Sequence, residues 1–327
     1  MALRRNMLEC VRMKPIGFRS CLAPALLSVL YCCVVAAEPV PSLPGVTVIA
    51  PRPPTPEELA GEAVPDFVRA HTAPSTVIHQ ITRWRDGICP LTRGLESGSN
   101  AFVTARIRAI AALVGAPHQD SPDCKANVQI LFTLEPQKVL DAVARQDSRM
   151  LGFHYSQQDK PLVTMTRPIQ GWYVTSTRNF KGIEMIDDPL PLGAQQGSFG
   201  TPTGYLPNSR VPPGEPGSRL TNLQSSQVVL ALIVVDANSI KGMAIGPLSD
   251  YLAMLTLSQT RSPGSCSQLP SIMDLMAPKC DRSEKPPQIT AGDIAFLRAL
   301  YRINPEMSLE VAESSIEDAM TRDLNKH

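Results

Sequence analysis

Histidine is scarce where a metal enzyme would need it. The chain holds five, His71, His79, His118, His154 and His327, and none falls between residues 155 and 326. The common zinc sites gather imidazole or thiolate ligands around one ion, so the C-terminal half alone cannot supply a histidine-rich one. No C-x-x-C pair occurs, which argues against a four-cysteine zinc site. The G-x-S-x-G elbow is also missing, and neither Ser218 nor Ser249 has a histidine close by in sequence, so serine hydrolysis is not expected. Charge of one sign is lacking too: 31 Lys plus Arg stand against 30 Asp plus Glu, and no long basic stretch follows residue 37. Nothing therefore calls for a nucleic-acid partner, and no cofactor is expected. Aromatics make up 5% of the chain, so Trp84 and Trp172 draw notice.

Proline, by contrast, reaches 31 residues, which favours many turns and few long helices. The N-terminus reads as an export signal. Arg4, Arg5, Arg12, Lys14 and Arg19 precede an apolar run from Cys21 to Ala37, which closes on Val35-Ala36-Ala37 before Glu38. Cleavage after Ala37 is expected, and Met13 is a candidate for the true start, because the segment before it adds nothing that a signal needs. The run is slightly short for a membrane span of about 20 apolar residues, so a membrane is expected only through an uncleaved signal. Cys32 and Cys33 lack the pattern of a lipoprotein signal. The expected location is the periplasm or the cell exterior.

Removing residues 1–37 leaves Cys89, Cys124, Cys266 and Cys280. An even number in an exported chain implies two disulfides. Three connectivities are open, and pairing neighbours, Cys89 with Cys124 and Cys266 with Cys280, is preferred.

Three parts follow from composition: a signal peptide at 1–37, a Pro-rich extended tail at 38–75, and one α+β domain at 76–327. In the domain, residues 77–84 read as a strand of imperfect alternation, and 100–114 as an amphipathic helix with Phe102, Val103, Ile107, Ile110, Ala111 and Val114 broadly on one face. Residues 127–133 predict a strand, Pro136 opens a helix to about Arg145, and 162–177 supplies one or two strands. Residues 187–222 collapse into Gly, Pro, Ser and Asn and read as a long loop. Val228 to Val235 is apolar without a break, the mark of a strand buried on both faces.

From Ser249 to Leu257 the chain reads SDYLAMLTL, then Ser271-Ile272-Met273-Asp274, then Thr290, Asp293, Ile294, Leu297, Leu300 and Tyr301 at helical spacing. In order and spacing this resembles the catalytic half of the metzincin-type zinc peptidases: H-E-x-x-H-x-L-G-L on a helix, a tight S-I-M-x turn, and a C-terminal helix. The match covers about the last fifth of the chain. Ser249 stands at the first histidine, Asp250 at the glutamate, Ala253 at the second histidine and Met273 at the turn methionine. In that motif two histidines four apart reach one zinc, and the glutamate takes a proton from its water. Serine is a poor ligand and alanine none. The resemblance thus implies a zincin-like α+β fold, a mixed twisted sheet with motif helix, Met-turn-like loop and C-terminal helix, without the peptidase's chemistry. Its cleft would lie between the sheet's edge strand and the motif helix. The whole chain also resembles a group of bacterial secreted proteins without known activity, which share the segment around Trp84 and Cys89. Read plainly, Leu248, Leu252 and Leu255 also make an ordinary buried helix face.

Arg83, Trp84, Arg85 and Trp172 are candidates for stacking a ligand, although a tryptophan on an alternating strand more often packs in a core. Asp187-Asp188 is a weak calcium candidate. The expected function is an exported, inactive zincin-like protein that binds a peptide or a cell-envelope partner. Two alternatives are a hydrolase with a non-standard site using Asp250, and a structural envelope protein attached through residues 38–75.

Overall fold

The computed structural model describes residues 62–75, 77–121, 123–152, 162–179, 183–187, 223–260 and 263–326. Its elements run α1 (Val64–His71), β1 (Arg83–Trp84), β2 (Pro90–Arg93), α2 (Ser97–Val114), β3 (Val128–Thr133), α3 (Pro136–Asp147), β4 (Ile169–Asn179), β5 (Glu184–Ile186), β6 (Gln224–Asp236), α4 (Ile245–Ser258), α5 (Ala291–Arg302) and α6 (Leu309–Leu324). Short 3₁₀ turns lie at Ser148–Leu151 and Ile272–Met276. Residues 1–37, read as a signal, and residues 38–61 and 188–222 lie outside the described residues.

The class is α+β on one mixed sheet, ordered β2-β3-β6-β4-β5, with β1 paired to the start of β6. Strands β1, β2, β3 and β6 are parallel, while β4 runs antiparallel to β6 and β5 antiparallel to β4. Strand β6 is buried on both faces, as its unbroken apolar run predicts. Ala231, Ile233 and Val235 join Val128, Ile130 and Phe132 in the large core beneath α2, α4 and α5. Leu232 and Val234 turn the other way, into a small core with Leu140, Leu151 and Trp172. Period-2 alternation sends adjacent residues to opposite layers.

Local chemistry sets the helix ends. Gly115, at φ 74°, closes α2, and its N–H donates to Ala112 O while Ala116 N–H donates to Ala111 O. Thr290 and Asp293 form a reciprocal capping box at the start of α5.

Two expectations need correction. Extended structure does not run to residue 75, because Val64–His71 is a helix. Pro65 suits its first turn, and Val64, Phe67, Val68 and His71 recur at helical spacing and are all buried. The strand expected from residue 77 shrinks to Arg83–Trp84. Ser75 Oγ accepts from Val77 N, Ser75 O accepts from His79 N, and His79 sits at φ 51°, so the chain turns instead of pairing. Further along, the expected one or two strands at 162–177 are the single strand β4. All described residues fall in one compact unit, Arg52–His327. Among them no helix is long and apolar enough to cross a membrane.

Candidate functional site

Helix α4 is the natural place to look, because the motif positions lie on it. Leu255 O accepts the closing N–H of Gln259 at 3.1 Å, the carbonyls of Thr256 and Leu257 lie past that last bond, and aromatic side chains answer all three. Tyr173 Oη donates to Leu255 O at 2.9 Å, Trp84 Nε1 to Thr256 O at 2.7 Å, and Tyr301 Oη to Leu257 O at 2.8 Å. Burial drives both phenols well above their ordinary values, which keeps them neutral donors. Arg83 is buried as well, and donates to Leu300 O and, at 2.7 Å, to Ile303 O, closing the end of α5.

The four residues expected to stack a ligand are therefore not brought together. Trp84 is 1% exposed, and its indole closes α4. Trp172 is 2% exposed in the small core, with its indole on Leu162 O. Arg85 donates to Ser225 Oγ. The calcium candidate Asp187 is buried, and its two oxygens accept from Thr175 and Thr177 hydroxyls; Asp188 lies outside the described residues.

The motif positions are held by local hydrogen bonds, an ion pair and core packing. Ser249 Oγ donates back to Ile245 O at 2.7 Å. Asp250 accepts from Arg106 Nε and Nη2 and from Ile289 N at 2.8 Å, tying α2, α4 and the entry to α5 together. That hydrogen bond raises the Arg106 guanidinium above its ordinary value. Ala253 and Met273 are fully buried in the large core.

A cleft of about 590 Å³ opens between α4 and β4. Tyr251, Leu255 and Gln259 form the α4 wall at i, i+4 and i+8, and Ile169, Gly171, Tyr173 and Thr175 form the β4 wall. Arg167 is the one charged residue of its described lining. Asp236 N donates to Pro168 O, which sets the phase of the antiparallel ladder. Gln170, Trp172 and Val174 face β6, while Ile169, Gly171 and Tyr173 turn their backbone groups to the other edge. Along that edge β5 pairs only with Ser176, Thr177 and Arg178. Gly152, at φ 64°, passes so close that a Cβ there would stand 2.4 Å from Tyr173 O. The cleft wall thus uses Tyr251 and Leu255, two residues beyond the histidine positions that sequence order assigned.

A second cluster lies under α1, and sequence reasoning missed it. His71 Nε2 stands 3.1 Å from Ser271 Oγ, which stands 2.6 Å from Asp293 Oδ1, all three residues being 1% exposed or less. The ring stacks on Phe67 at 3.9 Å. Burial lowers the His71 imidazole to about 4 and raises the Asp293 carboxyl.

Disulfides join Cys89 to Cys124 and Cys266 to Cys280, the preferred pairing. Among the described residues, the group of His, Cys, Asp and Glu close enough to hold a metal is Cys266, Cys280 and Glu284, and its two sulfurs are already bonded to each other. Neither protein-family models, nor curated proteins, nor solved structures give a match to this chain.

Proposed function

We propose that this chain is an exported, catalytically inactive zincin-like protein that binds a peptide or an envelope partner in the cleft between α4 and β4. The observation that carries this reading is the composition of the cleft wall. Tyr251, Leu255 and Gln259 line it where a peptidase of this kind would present ligands and a base, and they offer no imidazole, thiolate or carboxylate. Asp250, the one acidic side chain at a motif position, has both oxygens engaged away from the cleft. The succession α4, the 3₁₀ turn Ile272–Met276 and α5 supports the zincin-like reading, as does a cleft between that helix and β4. Two disulfides suit an oxidising compartment.

The test uses the mature, oxidised chain. Metal content and melting temperature are recorded before and after chelation, and amide shifts are followed while a degenerate decapeptide pool is titrated in. Expected are no stoichiometric zinc and an unchanged melting temperature. Shifts should be confined to Ile169–Thr175 and Tyr251–Gln259, and be lost in Leu255→Arg. About one tightly held zinc per chain overturns the inactive reading, and shifts elsewhere, or none, overturn the cleft as the binding site.

A further inference from the structure

The hydrogens around Ser271 can be counted. His71 Nδ1 lies 2.7 Å from Phe67 O, and a carbonyl only accepts, so Nδ1 carries hydrogen. Ser271 Oγ has one hydrogen to give and two positions at which to accept, and Met273 N–H fills one of them at 3.1 Å. If the hydroxyl gives its hydrogen to Asp293, then Nε2 must donate to Oγ and the imidazole is a cation. If it gives that hydrogen to Nε2, then Asp293 must be a carboxylic acid donating to Oγ. Both arrangements contain the same number of protons, one more than a neutral histidine beside a carboxylate. Without that proton, lone pairs on Nε2 and Oγ face each other and one hydrogen bond of the chain is lost.

Asp293 has room for the proton on one oxygen. Its Oδ2 accepts from Ile272 N and Thr290 N and shares with Pro270 O, each at 2.9 Å, the one hydroxyl hydrogen of Thr290, which leaves Oδ1 toward Ser271. We propose that Asp293, Ser271 and His71 hold one proton in common and that it works as a latch, fastening α1 to the loop Ser271–Met276 while it is held and loosening α1 when rising pH removes it to solvent. Burial raises the carboxyl and depresses the imidazole, which supports Asp293 as the proton's usual seat. The other charged groups nearby are Asp274 on the loop, Asp66 and Arg69 on α1, and Glu313 and Glu317 on α6. Arg69 is paired with Asp66, and Glu313 accepts from Thr72 at 2.9 Å. None of these occupies the place of the shared proton between Oδ1, Oγ and Nε2.

Backbone hydrogen exchange of α1 in the full mature chain tests the latch between pH 6.5 and 9, the range above the ordinary histidine value, after correction for intrinsic rates, with α2 amides as the folding control. Wild-type α1 should lose protection about tenfold as pH rises, the equivalent of one hydrogen bond. In Asp293→Asn the amide donates to Ser271 Oγ at every pH, and its carbonyl still serves Ile272 and Thr290. This variant should stay protected with a flat profile. Ser271→Ala should be poorly protected throughout. The His71 ring ¹⁵N shifts of the wild-type protein, which need no variant, should change with the same midpoint as α1. A flat wild-type profile, a pH-dependent Asp293→Asn profile, or His71 shifts that do not move across the range would each overturn the proposal.

Discussion

Arg106 and Asp250 meet in a two-point hydrogen-bonded ion pair, with Nε on Oδ1 and Nη2 3.1 Å from Oδ2. The side chains are unequally sheltered: Asp250 is 2% exposed and Arg106 38%. Asp250→Ala takes the partner from Ile289 N–H and releases an Arg106 that reaches water, whereas Arg106→Ala leaves the sheltered Asp250 carboxylate with Ile289 N–H alone. We expect about 2 kcal/mol of lost stability for Arg106→Ala and about half that for Asp250→Ala, read from urea unfolding. Equal or reversed losses would mean that the Ile289 bond, rather than the ion pair, dominates.

Restoring histidines tests which face of α4 borders the cleft. Ser249→His with Ala253→His places two rings in a filled core, so the melting temperature should fall and added zinc should not recover it. Tyr251→His with Leu255→His sets two imidazoles one turn apart on the cleft wall. Zinc should raise the melting temperature of this second pair only. The reverse result would return the motif register to Ser249 and Ala253.

Loss of each disulfide has an expected size. The bridges close loops of 35 and 14 residues, which corresponds to about 4 and about 3 kcal/mol respectively in the chain-entropy model. Paired Cys→Ser variants, compared by denaturant midpoint in oxidising buffer, give the two values. For Cys266→Ser/Cys280→Ser, exchange should also quicken in Ser271–Met276, which lies inside the loop that the bridge closes.

Tyr301→Phe removes one hydroxyl and leaves Leu257 O buried without its donor. A loss of about 1–2 kcal/mol is expected. Fraying of the last turn of α4 should accompany it in hydrogen exchange. An unchanged stability would mean that water replaces the phenol.

Acid behaviour separates His71 from Asp293. The imidazole is held at about 4 in the fold against 6.5 outside it. Its contribution is therefore present above pH 6.5 and is lost as pH falls through 4, a swing on the order of 3 kcal/mol at most. Asp293 is shifted upward, so its contribution is full below the ordinary carboxylate value and is lost as pH rises through the raised one. In wild type the two oppose each other. Asp293→Asn keeps only the histidine effect, so its melting temperature should drop from pH 6.5 to 4 by several degrees more than that of wild type. Parallel curves would count against the opposition.

Periodicity made α2, β3, α3, β4, β6, α4 and α5 legible, and with them the two-faced burial of β6, because each signal is local, whereas the short strand β5 and the final helix α6 were not expected. The cysteine pairing was also within reach, since neighbours in sequence are neighbours in space. What escaped was long-range. Nothing near His71 announces Ser271, and the prolines before it disguised the Val64, Phe67, Val68, His71 stripe as part of an extended tail. Trp84 and Arg83 looked like a platform because their partners, the carbonyls of Thr256, Leu300 and Ile303, carry no side-chain signature. The motif alignment identified the helix but not which of its faces borders the cleft. Rotational phase depends on what packs around a helix buried on every side, and from Leu248 to Ser258 α4 is buried throughout.

The bond between His71 and Ser271 spans 200 positions of chain, and this has a consequence for assembly. Of the described helices α1 is synthesised first, yet what it rests on, the loop Ser271–Met276 and the helices α5 and α6, is synthesised last. Contacts of such sequence separation form late and slowly. We expect the first described helix to be among the last to settle, its docking reporting that the loop and both C-terminal helices are already in place.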